Sequence, residues 1–251
     1  MPPRSTRTHR SARWVTITAL AAVTLWMTFD TQGFERFLRL LVPGEEIVLY
    51  PTRSLPLLMG EQLYLTVAAS VFALLAGGLM GALALSRVGR PFRDVIVNTG
   101  NLAQTVPTVA IMALIIPATG YGAEPVVIAL VLYGILPIML NVIAGIEGVP
   151  PDAYDAAVGV GMSASQRFLR VQLPLAMPVI MGGIKNMVVI NVSAATLGAV
   201  VAAGGLGMPI LAGFHDYNNA FILEGALPSI TLALLFDRLL TSTSARAAVD
   251  G

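Results

Sequence analysis

The 251-residue sequence has no cysteine, which excludes a disulfide framework, a thiolate metal site and a cysteine nucleophile. Charge is also scarce: Asp, Glu, Lys and Arg make up 12% of the chain and the formal net charge is +1. No overall field exists to recruit nucleic acid or an acidic substrate, so a nucleic-acid partner is set aside. The only lysine, Lys185, lies in Gly183-Ile184-Lys185-Asn186, and no G-x-x-x-x-G-K-[ST] phosphate loop occurs. This chain does not hydrolyse ATP alone. What fills the sequence instead is apolar: 56% hydrophobic residues and a mean hydropathy of +0.78 lie outside the balance of a soluble domain. The 24 glycines and 16 prolines suit packed membrane helices, whose neighbours satisfy the freed backbone groups.

About 20 apolar residues cross a bilayer, and six stretches approach that length. They run from Trp14 to Phe29, Leu63 to Leu85, Val95 to Ala118, Pro125 to Ile146, Met177 to Ala203 and Ala220 to Phe236. With the N-terminus inside, the inner segments carry Arg4, Arg7, Arg10, Arg13, Arg87, Arg90, Arg93, Arg167, Arg170, Arg238 and Arg246. The outer segments carry Arg36, Arg39 and Arg53. Six spans with both termini cytoplasmic therefore satisfy the positive-inside rule; Lys185, near the inner end of the fifth, can snorkel. An alternative reading makes Arg4–Arg13 the charged region of a cleaved signal peptide, although no convincing small-x-small site follows Phe29. Residues 1–60 read as an N-terminal tail, a first span and an outer polar segment with a short amphipathic helix near Phe34–Leu41. Residues 61–240 read as a five-span core with a cytoplasmic loop at 150–174, and 241–251 as a cytoplasmic tail.

Also missing is charge in the middle of the spans. Ion-driven carriers place carboxylates or histidines there to titrate or hold the ion, whereas Glu147, Glu224 and Asp237 fall near span ends. The interiors hold Asn98, Asn101, Gln104, Asn141, Asn186, Asn191, Ser193 and Thr196. Energy is then expected from outside the membrane, through a partner. Candidates for a translocation path are Gln104, Asn141, Asn191, Ser193 and Thr196.

The loop between the fourth and fifth predicted spans has a definite local design. Pro150 and Pro151 can open a helix, Asp152 and Asp155 suit the positive end of its dipole, and Ala157 and Gly161 share a small-residue face. Gly161 can take the φ > 0 of a C-terminal cap. Ser163-Ala164-Ser165-Gln166 has the form of a capping box, predicting a second short helix toward Pro174. Taken locally, this is either an ordinary hairpin between two spans or a docking element.

Asp155-Ala156-Ala157, three residues, Gly161, nine residues, then Val171-Gln172-Leu173-Pro174 resembles the EAA coupling loop of binding-protein-dependent ABC importer permeases. Asp155 stands where the family has Glu, and Val171 where it commonly has Ile. Gln104-Thr105-Val106-Pro107-Thr108, Leu132-Tyr133-Gly134-Ile135-Leu136-Pro137, Gly145-Ile146-Glu147-Gly148-Val149, and Ala195-Thr196-Leu197-Gly198 through Gly204-Gly205-Leu206-Gly207 resemble the osmoprotectant group. Together the likeness covers roughly Glu61 to Phe236.

The resemblance implies an all-α type I permease fold with about six transmembrane helices in a bacterial inner membrane. It implies import of glycine betaine, choline, carnitine or proline, with no catalysis and no cofactor in this chain; ATP and Mg are bound by a separate ATPase. Asp155, Ala156, Ala157 and Gly161 would contact that ATPase, with Leu173 and Pro174 closing the contact. Further implied partners are an extracytoplasmic solute-binding protein and a second permease, identical or related. A quaternary ammonium is best held by an aromatic cage, which the spans lack, so selectivity is expected in the binding protein. His215 and Asp216 are either its contact or a solvated turn. Gln104–Pro107 reads as a proline kink or a solute contact, and Tyr133, Pro137 and Asn141 as a pore face or a packing face. Another small solute, such as an amino acid or sulfonate, is the alternative cargo. The competing classes are an ion-coupled secondary transporter and a non-transporting scaffold.

Overall fold

The computed structural model describes residues 5–247. Arg4 and residues 248–251 of the expected C-terminal tail lie outside the described residues. The chain is 83% helical, with no strand among the described residues. α1 (Ser5–Phe29) and α2 (Thr31–Leu41) meet at a bend of 96°. Asp30 makes that corner: one carboxylate oxygen caps the Gly33 amide at 3.0 Å, and the other accepts from Trp26 Nε1 at 3.0 Å. α2 buries Phe34 and Leu38, confirming an amphipathic helix in the segment expected on the outer face.

α3 (Leu55–Leu85), α6 (Ala123–Glu147) and α9 (Leu173–Ala195) form the central seam. Membrane helices gain little from burying apolar surface against one another, so close approach through small residues holds them. α3 turns Ala69, Ala73, Gly77, Gly81 and Ala84 inward. A β-carbon at Gly77 would stand 2.7 Å from the Ile135 carbonyl oxygen and 2.8 Å from Ile138 Cβ; at Gly134 one would stand 2.7 Å from Ala73 Cβ. α9 approaches α6 in the same way, at Gly183 against Asn141 and Gly145 against Ala176. α10 (Gly207–Asp216) and α11 (Asn219–Ala247) close the bundle. Lys185 does not snorkel freely: its ammonium pairs with Asp237 at 2.8 Å, tying α9 to α11.

Four helical runs are long and apolar enough to cross a bilayer: α3, α6, the run Ala164–Val201 that contains α9, and α11. The bent α1–α2 pair makes a fifth if it counts as one span. The expected span Val95–Ala118 is two helices, α4 (Arg93–Ala103) and α5 (Thr108–Thr119). Pro107 explains the break, since it has no N–H for the helix ladder and pushes the preceding residue out of helical geometry.

The segment after α2 is sewn to the rest of the chain. Asn218 Nδ2 donates to the Ile47 carbonyl, the Asn219 amide to Glu45, and the Tyr50 amide to Glu224 at 2.6 Å. Glu224 is therefore a buried anchor and not a free group at a span end. His215 and Asp216 end α10 instead of lying in a loop, and they pair with each other at 2.8 Å in an exposed position.

Replacing Gly77 by Val is expected to cost about 1–3 kcal/mol by overpacking the seam. Replacing Gly78, whose β-carbon would meet nothing within 4 Å, should leave the detergent-solubilised melting temperature nearly unchanged. Equal loss at both positions, read by thermal unfolding, would contradict the seam.

Candidate functional site

The loop after α6 is built as its local chemistry dictates, up to Arg167. α7 (Pro151–Gly159) opens on Pro151 in its first turn. It ends in a Schellman motif: the Gly161 amide donates to the Val158 carbonyl at 2.9 Å and the Met162 amide to Ala157 at 3.1 Å, with Gly161 at φ +78°. α8 (Ala164–Arg167) starts at once on a complete capping box, Ser163 Oγ accepting from the Gln166 amide and Gln166 Oε1 from the Ser163 amide. Arg167 then folds back, donating to the Met162 carbonyl at 2.7 Å with its guanidinium 5.3 Å from the Tyr154 ring centre. The two halves of the loop are thereby braced.

Beyond Arg167 the structure departs from expectation. The second helix does not stop toward Pro174; it passes through a π-helical turn, Phe168–Gln172, straight into α9. The Leu173 amide reaches back to Phe168, five residues, so the ladder has already shifted where Pro174 cannot donate. Ala164–Val201 is a 38-residue helical run, roughly 57 Å at 1.5 Å per residue. The loop is therefore continuous with a span.

Of the expected loop contacts, Asp155, Ala156 and Gly161 are exposed, and the space beyond Gly161 is open. Ala157 is buried, so it packs inside the chain and does not share an outward face with Gly161. Leu173 and Pro174 are half-buried at the foot of α9. A cavity of about 720 Å³, lined by Tyr154, Phe168 and Gln172 on one side and Gly78 and Val142 on the other, lies between loop and spans.

The expected path residues are not gathered on one surface. Gln104 Nε2 donates to the Tyr133 carbonyl at 3.2 Å. That carbonyl is the one Pro137, four residues on, leaves without a helical donor. In return the Tyr133 hydroxyl donates to the carbonyls of Gln104 and Val106 at the α4–α5 break. Asn141 donates to the Pro137 carbonyl at 2.8 Å and packs on Gly183. Asn191 is fully buried and donates to Ser70 Oγ at 3.1 Å. Ser193 and Thr196 bond carbonyls of their own helix, at Val189 and Ser193, near its exposed side. The structure thus makes Gln104, Asn141 and Asn191 buttresses between helices.

Sequence reasoning missed Tyr133 as a clamp, although a tyrosine four residues before an in-helix proline is a signal for an orphaned carbonyl. It also missed Glu61 and Gln62, which take the amides of Gly205 and Leu206, and the Tyr154–Arg167 brace. Those contacts join residues more than ten or a hundred positions apart, and no local pattern announces them.

Long apolar helices locked by small residues, a polar break inside the bundle and a braced helical loop at one end define a polytopic α-helical membrane protein. Residues 66–248 match the family described as binding-protein-dependent transport system inner membrane component, and the chain belongs to that family. It is a transmembrane permease component and not a catalytic subunit.

The glycine betaine/carnitine/choline transport system permease protein OpuCB of Bacillus subtilis is 34% identical over 192 residues, 76% of this chain and 88% of that one. The choline transport system permease protein OpuBB of the same organism is 36% identical, covering 72% and 86%. The inward-facing methionine ABC transporter MetNI shares the fold, with a TM-score of 0.65 at 21% identity over 75% of this chain and 93% of that one.

Replacing Ser163 by Ala is expected to remove about 1 kcal/mol from the start of α8, speeding hydrogen exchange at the Gln166 amide about five-fold. Unchanged exchange there would show that the box does not hold the loop.

Proposed function

We propose that this chain is the membrane-spanning permease of an ABC importer for compatible solutes of the glycine betaine, choline and carnitine type. The relatives' names support the cargo, and the loop supports the mechanism. In this reading the loop faces the cytoplasm, as do both termini, and Asp155, Ala156 and Gly161 seat in a groove of a separate ATPase that binds ATP and Mg. Ala157 acts from inside, setting the pitch of α7, while Leu173 and Pro174 close the contact at the foot of α9. An extracytoplasmic binding protein delivers the solute to the opposite face, and a second permease completes the path.

The observation that carries this reading is the continuity of α8, the π turn and α9. A groove that closes on a braced loop moves a rigid lever reaching across the bilayer. The helical run passes from the loop into the span without a break, and the cavity behind the loop leaves room for it to shift. Switching between inward and outward access then follows the ATPase cycle, the chain itself forming no bond with phosphate.

The test is uptake of labelled glycine betaine into vesicles holding this chain, its ATPase and the binding protein. Uptake should require ATP; uptake driven by a proton or sodium gradient without ATP would refute the proposal. Gly161→Glu places a charge in the open space where the groove must approach. It should abolish co-purification of the ATPase while the chain still inserts in the membrane. Undiminished association would remove Gly161 from the contact.

A further inference from the structure

α4 exposes an arc with two different halves. Asp94, Asn98 and Asn101 recur at i, i+4 and i+7, a spacing that stacks them on one face of α4; Thr105 follows just beyond its end, and all four are exposed. Beside them run Val95, Leu102 and Val106; Val95 is 63% and Leu102 68% exposed. Thr99 interrupts this second row, but a threonine hydroxyl in a helix can bond a carbonyl one turn back and so tolerate apolar surroundings. The apolar half therefore suits lipid or another apolar surface. The polar half does not: the side-chain amides of Asn98 and Asn101 have no partner among the described residues, and an unbonded amide facing hydrocarbon costs several kcal/mol.

Depth sharpens the point. The foot of α4 is fixed at the loop end by Arg93, which pairs with Glu147, the last residue of α6, at 2.9 Å. Its top is level with Tyr133, fourteen residues from that end of α6 (147 − 133) and ten from the other (133 − 123). At 1.5 Å per residue these are roughly 21 and 15 Å, so the α4–α5 break is near mid-bilayer. There the Thr105 carbonyl and the amides of Thr108 and Val109 find no partner among the described residues, and no side chain caps α5. Thr105, Val106 and Pro107 are exposed. Irregular backbone at this depth is tolerated only where protein covers it or where it lines a water-filled cavity.

We propose that Asn98, Asn101 and Thr105, with the break above them, wall an aqueous half-channel running from Asp94 at the cytoplasmic mouth to the bilayer centre. It passes a small zwitterion or quaternary ammonium ion. This rests on the permease reading and places its path on α4, away from Asn141 and Asn191, whose side-chain N–H groups donate within the bundle. The chemistry suits such a solute. Carboxamide N–H groups can donate to a carboxylate, whereas a trimethylammonium group, which has no N–H, needs only oxygens and contact. The amide oxygens supply these, as does the Thr105 hydroxyl, whose own proton goes to the Leu102 carbonyl at 2.7 Å. Neutral dipoles guide both ends without the ion pair that would trap the solute, as passage through several weak sites requires.

The absence of cysteine makes the test direct, because single substitutions need no prior removal of native thiols. Asn98→Cys, Asn101→Cys and Thr105→Cys are compared with Leu102→Cys and, on α3, the 73% exposed Leu79→Cys. The assembled transporter in vesicles is treated with a methanethiosulfonate bearing a trimethylammonium group. The three polar-stripe thiols should react about ten-fold or more faster than the two apolar-face thiols, because thiols in apolar surroundings are inert. Modification should block ATP-driven uptake, and saturating glycine betaine with binding protein should slow it.

Stripe thiols no more reactive than Leu102→Cys would overturn the wall. Wild-type uptake measured in parallel keeps the two readings apart. If the wild type transports and the stripe thiols stay silent, the permease stands and the wall falls. If the wild type takes up no solute with ATP, the permease reading fails first.

Discussion

In hydrocarbon a backbone carbonyl or amide without a partner costs several kcal/mol, and water is not there to supply one. This chain nonetheless interrupts its helices inside the bundle, and its long side-chain contacts are placed to meet that cost. Pro137 strips the helical donor from the Tyr133 carbonyl, and Gln104 supplies another. The α4–α5 break frees the Gln104 and Val106 carbonyls, and the Tyr133 hydroxyl takes both. Where α9 tightens after Ala195 into a 3₁₀ turn, the Val192 carbonyl accepts from Gln62 Nε2 at 2.8 Å. The carbonyl oxygen of the same Gln62 caps the Leu206 amide. Each buttress lets the backbone be irregular where a regular helix would be featureless.

Those irregularities sit on a seam that is otherwise rigid. α3, α6 and α9 touch through glycine and alanine, at distances a larger residue could not accept. A packed seam of this kind moves as a body or slides as a whole; it does not bend gradually. The loop is held differently, its two short helices being capped, braced by Arg167 and continued through the π turn into α9. The clearest interruption of this packing is α4–α5. That helix pair is secured to α6 by side chains, not by close backbone packing over its whole length.

Family and local architecture were legible because they rest on short-range rules. Gly161 needed only its place after a helical stretch to be read as a cap, and Ser163 with Gln166 only their spacing; both stand as expected. Charge distribution and apolar length brought out the membrane class in the same way. The sequence left two uses open where a residue fitted both equally. Gln104, Asn141 and Asn191 are neutral polar residues inside apolar runs, which equally describes a path lining and a helix buttress. Ala157 fitted an outward small-residue face by its spacing with Gly161, and the fold turned it inward.

By itself, then, the sequence determined what its own neighbours could enforce: apolar lengths, caps, the spacing of the loop and the lack of an energy-coupling motif. Tertiary structure decided which polar groups are spent inside the bundle and which remain free. A hydrogen bond between Gln104 and Tyr133, or between Tyr50 and Glu224 across 174 positions, exists only once helices have been placed side by side. Asn98 and Asn101, two of several asparagines along the chain, became distinct because α4 leaves them bare at the edge of a broken span.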